Sequence, residues 1–161
     1  PEELADSSRV PPELLARLPE RVHRLLATPR PFEFRTVQPV DYLQGSKNPP
    51  ARQIWFRAVS AVPDDETLQR CLLAYVSDFY LLETATLPHG ISSLSGQAIV
   101  ASIDHAMWFH RPLRVDDWLL YAVESPSASG ARGFARASVF SRDGRLVAST
   151  AQEGLVRVVE R

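Results

Sequence analysis

The chain has a single cysteine, Cys71, among its 161 residues, so no internal disulfide can form, and the composition fits a reducing compartment. No apolar run reaches the roughly 20 residues that a bilayer-spanning helix needs, and no stretch has the pattern of a secretory signal. Charge is nearly balanced, with a formal net of −1. Basic residues form neither runs nor a stripe interleaved with aromatics, which excludes nucleic acid and anionic membrane surfaces as natural partners. Internal repeats and low-complexity segments are also missing. A chain that begins on Pro1 rather than methionine is expected to be processed, trimmed or part of something longer.

What is present is enough apolar residue, 45% of the chain, for one compact domain with an attached tail. The tail is the N-terminal part, where Pro1, Pro11, Pro12, Pro19, Pro29 and Pro31 interrupt the charged segments ELLARL and ERVHRLL. Proline at this density prevents a long helix. Residues 1–29 therefore read as a linker with short helical turns, and 30–161 as the folded domain.

The domain is organised around Asp64–Leu87. Leu68, Cys71, Leu72, Tyr75, Phe79 and Leu82 recur at helical spacing, and Leu73, Val76, Leu81 and Ala85 widen the apolar surface, predicting one long buried helix. Pro63 and the acidic run Asp64, Asp65, Glu66 mark its start; Pro88 and Gly90 mark its stop. Asp78 falls within the apolar stripe, and a buried carboxylate needs a partner or a function.

Around this helix the period changes to two. Strands are expected at Phe32–Thr36, Gln53–Val62, Ile99–His110, Asp117–Ser125, Ala131–Phe140 and Leu146–Val159, with turns at PSASG and at Asp143-Gly144. Ala131, Gly133, Ala135 and Ala137 share one face, where small side chains let a sheet approach a helix closely. About six mostly antiparallel strands around one central helix is an α+β arrangement. On the last strand Gln152 shares a face with Ala148, Thr150 and Val156, so its amide points at the helix. Ser102, Asp104, His105 and His110 lie on the strand before; spacing alone does not choose among them, and each histidine reads first as structural or surface. His105 and His110, five apart on a strand, project to opposite faces, which argues against a shared metal site.

The segments RQIWFRA, VPDD, AYVSDFYLL, LPHG, IVASIDHAMWFHRPLRVDDWLLYAVESPSASGARGFARA and DGRLVASTAQEGLVR resemble the second half of the type II acyl-CoA thioesterases, over about Arg30–Arg161. The family includes the bacterial medium- and long-chain enzyme and the peroxisomal enzyme of eukaryotes. The resemblance implies a hotdog fold, in which an antiparallel sheet wraps a long helix, and two such domains per full-length chain. It implies hydrolysis of acyl-CoA without cofactor or metal, and matches the catalytic Asp, Thr or Ser, and Gln to Asp78, Ser102 and Gln152. Ser102 stands where Thr is common, keeping the hydroxyl without the branch that restricts χ1.

On that resemblance the implied chemistry is a water held by the three residues and deprotonated by Asp78. The implied partners are acyl-CoA and either an N-terminal hotdog half or a second copy, giving an oligomer. Arg132 and Arg136 are candidates for CoA phosphates, with solvated surface the commoner fate of such residues. The C-terminal VER is not a Ser-Lys-Leu address, so a bacterial cytoplasm is expected. Two other readings compete: an enoyl-thioester hydratase or dehydratase, with His105 or His89 reaching Asp78, and a non-catalytic acyl-binding or assembly module.

Overall fold

The computed structural model describes residues 1–7, 20, 30–40, 45–93 and 95–159. The expected helical turns of the linker lie almost wholly outside these residues. Seven strands form one antiparallel sheet: β1 (Phe32–Thr36), β2 (Ala51–Ala58), β3 (Ala98–Ser102), β4 (Ala106–Phe109), β5 (Leu119–Ser129), β6 (Arg132–Ser141) and β7 (Leu146–Val158). The order is β1-β2-β5-β6-β7-β3, with β4 also paired to β7. Helix α1 (Glu66–Ser77) and a 3₁₀ segment, Leu82–His89, lie against the sheet, the curled-sheet-and-helix arrangement of a hotdog fold. Among the described residues no helix is long and apolar enough to cross a membrane.

Alternation explains which face of the sheet meets the core. Phe32 and Phe34 of β1, Ile54 and Phe56 of β2, Leu119, Tyr121 and Val123 of β5, and Ala135, Ala137 and Val139 of β6 all point inward onto Leu73, Val76 and Leu81. Burial of each large side chain contributes about 1.5–3 kcal/mol.

The central helix differs from its expected form. It starts as the acidic run predicts, with Asp65 as N-cap accepting from Leu68 N at 3.0 Å, but it ends at Ser77 rather than running to Leu87. Tyr80 adopts a left-handed φ of 64°, rare for a bulky residue and costing about 1–3 kcal/mol. Tertiary packing holds it there: its ring meets Phe34 edge-on at 5.2 Å and lies under the Arg52 guanidinium at 5.5 Å. The chain then continues as the 3₁₀ segment, and this segment covers the small residues of the sheet. A Cβ on Gly133 would lie 2.6 Å from Ala85 Cβ, and one on Gly154 would lie 2.1 Å from Leu82 Cδ2.

Nor is α1 buried all round. Its inward residues are Gln69, Leu73, Val76 and Ser77, and Gln69 is buried because its amide bridges Pro63 O and Val115 N at 3.1 and 2.7 Å. Leu68, Cys71, Ala74, Tyr75 and Asp78 face outward. The periodicity located the stripe, yet part of it meets solvent in this chain.

Strand boundaries also differ, and β2 is Ala51–Ala58 rather than Gln53–Val62. The single strand expected over Ile99–His110 is split into β3 and β4, because the backbone N–H groups of Ile103 and Asp104 both donate to Glu153 O while Asp104 Oδ1 accepts from Glu153 N at 2.7 Å. A side chain has replaced a rung of the ladder. The turn expected at PSASG is displaced to its end: β5 runs on to Ser129 with a bulge between Glu124 and Ser127, and the chain reverses at Gly130 and Ala131, both with φ of 59°. The Asp143-Gly144 turn is as expected, closed by Ser141 N donating to Arg145 O at 2.9 Å.

Candidate active site

The end of α1, the end of β3 and the middle of β7 converge on one cleft. Asp78 is the C-cap of α1, Ser102 is the last residue of β3, and Gln152 lies on the inward face of β7 with 1% of its surface exposed. The cleft, about 470 Å³, is lined by these three and by Tyr75, Asp104 and His105 among others. It opens to solvent, so Asp78 is exposed in this chain rather than buried as its place in the apolar stripe suggested.

Hydrogen bonds connect all three expected residues. Gln152 Nε2 donates to Asp78 Oδ1 at 2.7 Å and to Ser102 Oγ at 2.9 Å, and Ser102 Oγ donates to Asp78 Oδ1 at 3.3 Å. The directions are forced by chemistry. A carboxylate only accepts, so the amide nitrogen of Gln152 must face it, and the one hydroxyl hydrogen of Ser102 goes the same way. Both donors converge on Oδ1, while Asp78 Oδ2 has no donor among the described residues. Gln152 Oε1 is buried without a hydrogen-bond partner among them, a desolvation cost of about 1–3 kcal/mol.

A second layer of polar groups lies alongside. His105 Nε2 is 2.8 Å from Ser77 Oγ and 3.2 Å from Thr150 Oγ1. Ser77 and Thr150 are each 2% exposed. The Ser77 carbonyl accepts from Tyr121 OH at 2.6 Å. Burial, and then the negative charge of Asp78, push the Tyr121 phenol well above its usual range, so this hydroxyl keeps its proton and its grip on the helix end. Ser77 and Thr150 were not singled out in the sequence; Thr150 lies on the inward face that alternation identifies, whereas nothing local marks Ser77.

Arg132 and Arg136 do not line the cleft. Both are exposed on β6, and each faces a carboxylate: Arg132 Nη1 is 3.6 Å from Glu153 Oε2 and Arg136 Nε is 2.6 Å from Glu124 Oε1. His110, on the outer side, bonds Ser149 Oγ at 2.9 Å.

Comparison with known proteins accords with this geometry. The acyl-CoA thioesterase family model matches residues 23–155. The chain is 42% identical to acyl-CoA thioesterase 2 of Haemophilus influenzae, over 99% of this chain and 56% of that protein. Human acyl-coenzyme A thioesterase 8 is 37% identical, over 98% of this chain and 51% of its own length. The solved structure of acyl-CoA thioesterase II from Mycobacterium marinum superposes with a TM-score of 0.68 and 40% identity, covering 81% of this chain and 51% of that one. The chain thus spans about half the length of these relatives. On the extent of these matches, it belongs to the acyl-CoA thioesterase family.

Proposed function

We propose that this chain is the second hotdog, residues 30–161 with 1–29 as connector, of a type II acyl-CoA thioesterase, and that it hydrolyses acyl-CoA to a fatty acid and CoA at the Asp78–Ser102–Gln152 cluster. The observation that carries the reading is the convergence of three sequence-distant polar side chains on one cleft in a chain of this family.

Chemically, the donors of Ser102 and Gln152 both serve Asp78 Oδ1, so their first task is to fix the carboxylate. Oδ2 is then the general base for a water in the cleft. As the water oxygen bonds to the thioester carbon, its proton passes to Oδ2. The tetrahedral intermediate collapses as the C–S bond breaks, and the thiolate leaves with the bonding pair. The proton on Asp78 returns to solvent or to the sulfur. Holding the reactants in this geometry is the main contribution of the site.

The hydratase alternative needs a histidine working with the helix carboxylate. His105 does line the cleft, but the hydrogen-bond partners of the Asp78 carboxylate among the described residues are Ser102 and Gln152 rather than a histidine, which favours hydrolysis. For Arg132 and Arg136, the carboxylate each already faces supports a solvated surface role over phosphate binding.

A partner hotdog, from the same polypeptide or a second copy, is part of the proposal. The outward face of α1 presents Leu68 and Tyr75, 38% and 53% exposed, and the edge strand β3 presents Ile99 at 54%. An apolar face beside an open sheet edge is what pairing would cover. We place the protein in the bacterial cytoplasm, in keeping with its single cysteine. The experiment is thiol release from acyl-CoA substrates of graded chain length: hydrolysis supports the reading, and a folded, correctly assembled protein inactive at every length refutes it.

A further inference from the structure

The hydrolytic reading leaves the second polar layer without a role. Its hydrogen-bond accounting is complete enough to assign a proton. Ser77 Oγ donates to Ala74 O at 2.8 Å, and Thr150 Oγ1 donates to Ala106 O at 2.9 Å. Each hydroxyl has one hydrogen, so while these bonds to the carbonyls are kept, both oxygens accept from His105. With the hydroxyl hydrogens on those carbonyls, Nε2 carries a hydrogen and shares it between the two oxygens, at 2.8 and 3.2 Å. In the neutral ring Nδ1 is then bare.

The members of this layer are also tied in sequence to the members of the first. Ser77 immediately precedes Asp78, His105 lies three residues after Ser102, and Thr150 lies two before Gln152 on the same face of β7. Helix α1 ends at Ser77, so Asp78 is its C-cap, followed by a single turn in which Phe79 N donates to Val76 O at 3.1 Å. The Ser77 carbonyl is fixed from the sheet by Tyr121, and its hydroxyl is fixed by His105.

We propose that His105 is a positioning residue of the site: its Nε2–H ties the C-terminus of α1 to β7 through Ser77 and Thr150, and thereby sets the separation of Asp78 from Gln152. The proposal rests on the hydrolytic reading of those residues. His105 needs no contact with substrate for this role, and its effect falls on kcat through the aim of the Asp78 carboxylate. The tie persists when the ring is protonated, because Nε2–H is present in both charge states.

The test uses the full chain with His105→Ala, His105→Gln and Asp78→Ala, each checked for folding by circular dichroism and assayed for thiol release. His105→Ala is expected to lower kcat about tenfold to hundredfold, the scale of a misplaced reacting group, with KM changed by less than about threefold. His105→Gln, whose amide nitrogen can donate near the position of Nε2, is expected to recover most of that loss. Long-range ¹H–¹⁵N correlation on the unsubstituted protein in alkaline buffer should report the Nε2–H tautomer.

Unchanged kcat in folded His105→Ala, while Asp78→Ala is inactive, overturns the proposal and leaves the hydrolytic reading standing. Full activity in Asp78→Ala overturns the hydrolytic reading, and the proposal with it. If His105→Ala does not fold, the tautomer decides: an Nδ1–H signal contradicts the tie, and an Nε2–H signal with activity retained in His105→Gln supports it.

Discussion

The Gln152 amide donates to Asp78 Oδ1 at 2.7 Å across 74 residues of sequence, joining the middle of the last strand to the end of the only α-helix among the described residues beyond residue 30. Each side chain constrains the other: the carboxylate fixes which end of the amide faces it, and the amide fixes which carboxylate oxygen is occupied.

Replacing that donor by an acceptor is expected to disable the site without unfolding it. Gln152→Glu removes both hydrogens that reach Asp78 and Ser102 and sets a second carboxyl against the first. A hydrogen bond to a charged group is worth about 1.5–3 kcal/mol, so kcat/KM should fall about tenfold to hundredfold. Steady-state kinetics with circular dichroism on the same sample check this.

Close packing at the 3₁₀ segment gives a stability prediction. Gly154 and Gly133 are cross-strand partners, and a Cβ on Gly154 would stand 2.1 Å from Leu82 Cδ2 and 2.8 Å from Ala101 O. Gly154→Ala should therefore cost about 1–3 kcal/mol through overpacking. The measurement is the shift of the urea midpoint at unchanged m-value.

Acid should weaken the β1–β2 and β2–α1 regions first. Burial alone would raise the Glu33 carboxyl, but hydrogen bonds from Arg35 and Arg57, with their charges, hold it below the usual range. The Arg114 hydrogen bond does the same for Asp116, aided by Val62 N. A carboxyl with a depressed folded-state pKa stabilises fully above its unfolded value, about 4, and that stability is lost as pH falls through the folded value. Unfolding free energy should thus decline below about pH 4, and Glu33→Gln should flatten the decline. A variant that keeps the full acid dependence would contradict the assignment.

The exposed edge predicts association. Ile99→Lys puts a charge on β3, a common device against edge pairing, and should lower the mass measured by analytical ultracentrifugation relative to the unsubstituted chain. Identical mass for both would remove β3 from the interface.

Much of this architecture could be read from the sequence because alternation and turn chemistry are local. β1, β6 and β7 appear within a residue or two of their expected bounds, and the inward placement of Gln152 follows from the period of two alone. The break in the helix could not be read that way. Its cause is the packing of Tyr80 against Phe34 and Arg52, residues from two other strands. The split between β3 and β4 depends likewise on Asp104 reaching Glu153. Helical spacing marked Asp78 as out of place but gave its environment wrongly, since the apolar stripe around it is partly exposed in this chain. Ser102 and the selection of all three residues came from family resemblance, and their contact is a property of the fold.

The most direct test of the account is thiol release by Asp78→Asn beside the unsubstituted protein. Asparagine keeps an oxygen that can accept from Ser102 and Gln152, and loses the base. If Asp78 deprotonates the attacking water, kcat should fall about 10²–10⁴-fold with the fold intact. Activity within about threefold of the unsubstituted protein would contradict the central claim.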